Sequence, residues 1–179
     1  MTDQDRQHLR VLGVHPTARG FGWVICEGPL RLVDFGLFVA FGPDKNDLCL
    51  RELERLVTRF APTELVLECF DPDRSRRSVR VHQLCLLMAS LAGTSGLRFG
   101  GPERDAVQRT FEGVNARTRE EIAVAVARHF PALLPRLPRK RRRWDSEDKR
   151  LAIFNATAAV LANYKNGAAA LLNELRNTA

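Results

Sequence analysis

A chain of 179 residues, 45% hydrophobic and 27% charged, is long enough for one domain with a real core and too short for two comfortable ones. No apolar run reaches the roughly 20 residues of a membrane-spanning helix, and the composition is that of an ordinary globular protein. The net charge of +7 favours an anionic partner, with nucleic acid ahead of a membrane surface.

The opening "MTDQDRQHLR" lacks the apolar centre of a signal peptide, so a soluble, cytoplasmic chain is expected. "LRVLGV" (9–14) predicts a first strand, "GFGWVICEG" (20–28) a second and "LRLVDFGLFVA" (30–40) a third. Gly28 and Pro29 between the last two signal a hairpin. Residues 44–62 carry apolar side chains at 48, 50, 53, 56, 57 and 60, the spacing of an amphipathic helix that Pro62 ends.

"ELVLECF" (64–70) predicts a short strand with Glu68 near its end, followed by the charged loop "DPDRSRRS" (71–78). Helices are expected over 79–92, 102–111 and 118–130, with a strand at 96–99 between the first two. Thr118 and Glu121 fit a capping box. A proline-broken, strongly basic stretch (131–144) precedes a last helix expected to start near Ser146, a suitable N-cap. A short further helix is expected after Gly167. Cys26, Cys49, Cys69 and Cys85 form no CxxC pair and sit in apolar segments, as reduced cysteines do, so no zinc site is expected.

Three strands in a meander, then alternating helices and strands, predict a mixed sheet covered on both faces. This order, with "LGVHPTARGFGWVI", "LVLECF" and "DSEDKRLAIFNATAAVLA" at its landmarks, resembles the RuvC-type Holliday-junction resolvases of the ribonuclease H-like superfamily. The resemblance spans roughly residues 9–164. It implies an α/β ribonuclease H-like domain over 1–179, with a mixed five-stranded sheet, its first three strands antiparallel, and helices on both faces. It also implies that carboxylates from these three places hold two divalent cations, Mg2+ or Mn2+, which activate water and stabilise the leaving oxygen in phosphodiester cleavage. A homodimer is implied as well, with the helices at 79–92 and 118–130 offering apolar surface.

Glu68 is the best carry-over, because a carboxylate ending an apolar strand is costly to bury without a partner. Its alternative is a strand-end glutamate that reaches solvent or pairs with arginine. His15 stands where the resemblance leads one to expect aspartate. It removes a negative charge, and three chemical readings stay open: a softer metal such as manganese, an acid or base role, or a site that no longer cuts. A turn histidine without chemistry is the fourth. In the last helix, Asp145 and Asp148 have the paired-aspartate spacing, whereas a second alignment puts Asn155 at the catalytic position. Helix-dipole complementarity is the plainer account of Asp148. Asp71 and Asp73 follow Glu68 closely and could supply carboxylate oxygens at the same end of the sheet, with a solvated turn the plainer reading.

Arg76, Arg77 and Arg80, with Arg139, Lys140, Arg141, Arg142 and Arg143, form two basic clusters that suit phosphate contacts. Trp144 and Phe70 are candidates for base stacking or for the core. The expected function is binding of structured or branched DNA, a four-way junction being the form the resemblance implies, with divalent-metal-dependent endonuclease cleavage. The rivals are a nucleic-acid-binding protein that has lost the metal chemistry and an RNA-directed nuclease.

Overall fold

The computed structural model describes residues 9–69, 77–139 and 148–177, with side chains up to 169. β1 (Arg10–Thr17), β2 (Gly20–Glu27) and β3 (Arg31–Val39) form an antiparallel meander. β4 (Glu64–Leu67) pairs parallel with β1, and β5 (Arg98–Gly100) parallel with β4. The sheet order is β3-β2-β1-β4-β5. α1 (Lys45–Phe60) precedes β4, and α2 (Val79–Thr94) crosses from β4 to β5. α3 (Arg104–Thr110), α4 (Arg119–His129) and α5 (Leu151–Asn177) follow, with short 3-10 turns at Glu112–Val114 and Pro131–Arg136.

β1 and β2 are apolar on both sides because both sides are covered. Leu12, Val14, Phe21, Trp23, Ile25, Leu65 and Leu67 pack against Leu53 and Leu56 of α1 and Leu84 and Met88 of α2. Val11, Val24, Cys26 and Val66 face the other way, onto α4 and α5. α5 is the central helix of that layer, and every residue from Leu151 to Val160 is buried.

Two glycines let α5 lie this close. A Cβ on Gly13 would meet the Ala156 carbonyl oxygen at 2.9 Å, and one on Gly22 would collide with the α5 backbone at Ala152 and Ile153. The alanines on the facing side of α5 complete the close approach.

The expected fold class and element order hold, and three local expectations change. β1 does not stop at Val14: His15, Pro16 and Thr17 pair with Gly22, Phe21 and Gly20 of β2, so His15 is a strand residue and not a turn residue. α5 begins at Leu151 and not near Ser146, which lies outside the described residues. The side chain of Asp148 accepts from Arg150 N at 2.9 Å and its carbonyl from Leu151 N at 2.9 Å, so Asp148 takes up the first free N–H groups. Gly167 does not interrupt α5, which runs through it to Asn177. One glycine among alanines costs a helix only about 1 kcal/mol. The capping box of α4 is present, with Thr118 Oγ1 accepting from Glu121 N and Glu121 Oε2 accepting from Thr118 N.

Candidate functional site

The parallel ladder between β1 and β4 ends at the pair Val14–Leu67, so His15 and Glu68 are the next residues on adjacent chains. Side chains alternate along a strand. Leu12, Val14, Leu65 and Leu67 point to α1 and α2, which turns His15, Val66 and Glu68 toward α5. There Asn155 meets His15. Its Nδ2 lies 3.4 Å from His15 Nε2, the amide donating to the unprotonated ring nitrogen. All three side chains are buried, at 5% exposure for His15 and Glu68 and 6% for Asn155. The juxtaposition therefore joins residues from the first strand, the fourth strand and the last helix.

The charges around this group are mainly positive. Arg104 Nη1 is 3.8 Å from Glu68 Oε1. Burial holds the His15 pKa well below its ordinary value of 6.5, and the charges of Arg77, Arg119 and Arg104 lower it further. His15 is thus a neutral imidazole at neutral pH. Arg77 also acts on Cys85, whose thiol burial pushes up to about 11.

Of the two alignments of the last helix, the structure brings Asn155 to His15. Asp148 is instead bound by Arg150, whose Nη2 donates to its Oδ2 at 2.6 Å. That hydrogen bond holds the Asp148 carboxyl below its usual range. Counting the paired-aspartate spacing of three back from Asn155 reaches Ala152, which is packed against Gly22. Arg80 is also occupied: its guanidinium donates to Thr17 O at 2.9 Å, Ala18 O at 2.7 Å and Asn46 Oδ1 at 2.6 Å. Arg139 is exposed. Asp145, Arg76, Lys140, Arg141, Arg142, Arg143, Asp71, Asp73, Phe70 and Trp144 lie outside the described residues.

These residues do not fit a two-cation centre. The three convergent positions offer an imidazole, one carboxylate and one amide, whereas magnesium wants charged oxygens. Among the described residues no three His, Cys, Asp or Glu side chains are grouped to hold a metal. A divalent ion at Glu68 would also be repelled by the Arg104 guanidinium beside that carboxylate. Arg77 and Arg119 add to that repulsion. Of the three convergent side chains, Glu68 is the one whose charge could offset it.

Arg104 and Arg119 are the residues that sequence reading missed. Each opens a helix, α3 and α4 respectively, where the helix dipole disfavours a cation by a few tenths of a kcal/mol or more. An arginine placed against the dipole at two successive helix starts was the available signal.

No protein-family model and no curated protein sequence matches the chain. Solved structures do. RuvC of T. thermophilus in complex with Holliday junction substrate superposes with a TM-score of 0.64 at 16% identity, over 87% of this chain and 92% of that one. A second Thermus thermophilus RuvC structure gives 0.62 at 17% identity, over 86% and 92%. The yeast mitochondrial Holliday junction resolvase Ydc2 gives 0.59 at 13% identity, over 96% and 83%. With its sheet order and these superpositions, the chain has the RuvC-like resolvase fold.

Proposed function

We propose that this chain binds branched DNA as a RuvC-like protein and does not cut it through two divalent cations. The observation that carries the proposal is the composition of the convergent group: His15, Glu68 and Asn155 stand at the sheet end, with Arg104 at Glu68 and the positive charges of Arg77 and Arg119 acting on His15. Such a group attracts phosphate and repels metal. Arg77 and Arg139, with Arg76, Lys140, Arg141, Arg142 and Arg143, supply further phosphate contacts, giving salt-sensitive and largely sequence-independent affinity. Arg80 is left out, because its donors already hold the β1–β2 turn and Asn46 at the start of α1. A homodimer forms through the outer face of α2, where Val79 is 74%, Leu86 72% and Leu87 41% exposed.

The retained, buried Glu68 favours the second reading, metal-dependent cleavage by a centre of reduced charge. One panel separates the two. A labelled four-way junction, a linear duplex, single strands and the equivalent RNAs are incubated with the protein in Mg2+ or Mn2+. The expected result is junction binding without product in either metal. Product that appears only with metal and disappears in Glu68→Gln would establish cleavage, and preference for the RNA forms would establish an RNA-directed protein.

A further inference from the structure

We infer that the group at the ends of β1 and β4 is a phosphate site in which arginine side chains take the place of metal ions. This deepens the DNA-binding reading and rests on it. The ligand is a phosphate oxygen cluster, presented by a phosphodiester or by free phosphate. Arg104 is held at Glu68 and is 40% exposed, so its guanidinium reaches both the buried carboxylate and solvent. Arg77 and Arg119 bear on the same imidazole from the segment before α2 and from the start of α4. Arg104 thus stands at the buried carboxylate while the charges of Arg77 and Arg119 act on the neighbouring imidazole, and guanidinium donors match phosphate oxygens in geometry as well as charge.

The neutral members suit this use. Burial keeps His15 from adding a fourth cation, and its contact with Asn155 fixes the amide. Glu68 then has a role opposite to that of a metal ligand. It orients Arg104 and limits how tightly the site holds an anion, because its own charge repels the phosphate.

Two sites with the same residues therefore predict opposite signs for Glu68→Gln. A metal centre loses ligand binding when the carboxylate is neutralised. An arginine site gains it.

The test is thermal unfolding of the full chain with inorganic phosphate at constant ionic strength in chelator, and separately with Mg2+ or Mn2+ alone. Phosphate raises Tm, as any ligand of the folded state does, and the metals alone do not. Glu68→Gln binds phosphate about fivefold to tenfold more tightly and Arg104→Gln about tenfold more weakly, the size of one lost charge contact. Junction affinity in chelator shifts in the same directions. A Tm rise with metal alone that Glu68→Gln abolishes would overturn the inference. So would a phosphate response unchanged in Arg104→Gln, which would mean an adventitious ion only. If junctions bind the wild-type chain while phosphate does nothing, the inference falls and the DNA-binding reading stands. If phosphate responds as expected and no branched DNA binds, the DNA-binding reading falls and the anion site stands.

Discussion

Asn155 Nδ2 stands 3.4 Å from His15 Nε2 across 140 residues of sequence, and this contact joins the last helix to the first strand beside Glu68, the residue that follows the fourth. In the metal-dependent arrangement that the resemblance implies, carboxylates would occupy both ends of this contact. Two carboxylates so close would repel each other unless cations lay between them. An imidazole and an amide need no cation, since one donates to the other. The two departures from the expected pattern are therefore one compensated pair.

Restoring both carboxylates should restore the demand for metal. With Glu68, the variant His15→Asp/Asn155→Asp has three carboxylates in the space of one. We expect 10 mM Mg2+ to raise its Tm by about 3–5 °C if the concentration is tenfold above Kd, and to leave the wild-type Tm unchanged. A double variant that ignores the metal would show that more than charge is missing. Ala152, in the place of a further carboxylate, is then the residue to change.

Acid should destabilise the protein through His15. Burial, with Arg77, Arg119 and Arg104, keeps its folded pKa well below 6.5, so the unfolded chain takes up a proton that the folded chain refuses. That contribution to stability is intact above pH 6.5 and lost as pH falls below it, by at most about 1.4 kcal/mol per pH unit. Urea midpoints of wild type and His15→Asn at pH 7.5 and pH 5.5 measure it. The wild type should lose more between the two pH values. Equal losses would mean that His15 titrates as an ordinary exposed histidine.

How far the sequence carried depended on whether a feature is local. The apolar runs of β1 and β2, the 3.6-residue periodicity of α1 and the Thr118–Glu121 cap are set by neighbours within a few residues, and all were legible. The start of α5 was not. Ser146 and Asp148 are both acceptable caps, and only the depth at which Leu151 meets the sheet chooses between them. Position 155 was one of two open alignments, because an asparagine inside an apolar helix has no sequence signature until the facing His15 is known. The helices that Arg104 and Arg119 open were legible, but that their charges act on His15 depends on tertiary packing.

The close approach of α5 to the sheet rests on Gly22. It pairs with His15 in the β1–β2 ladder, and a Cβ there would strike the helix backbone at Ala152 and Ile153. Backbone yields less readily than a side-chain tip, so Gly22→Ala is expected to cost about 2–3 kcal/mol, the upper range for overpacking. It should also lift Asn155 from His15. A normal histidine titration by NMR in Gly22→Ala, beside a depressed one in wild type, would report that separation. Unchanged stability and an unchanged His15 titration would show that α5 has slack over the strand.

Arg80 separates a structural arginine from a binding one within the same "RSRRSVR" segment. Its guanidinium donates three hydrogen bonds, to Thr17 O, Ala18 O and Asn46 Oδ1, tying the β1–β2 turn to the beginning of α1. Hydrogen bonds from a charged donor contribute about 1.5–3 kcal/mol each when they cannot be replaced by water. Arg80 is half-buried, which allows partial replacement. Arg80→Ala should therefore lower stability by about 2 kcal/mol, at the modest end of that range. Its effect on DNA should be small, because a side chain with its donors committed releases no counterion. The dependence of log Kd on log salt should keep its wild-type slope in Arg80→Ala. For an arginine that contacts phosphate, as proposed for Arg139, the slope should fall by about 0.9. Chemical denaturation and salt titrations of junction binding on the two variants supply both numbers. A slope that falls in Arg80→Ala with stability unchanged would move Arg80 from the scaffold to the DNA-binding surface.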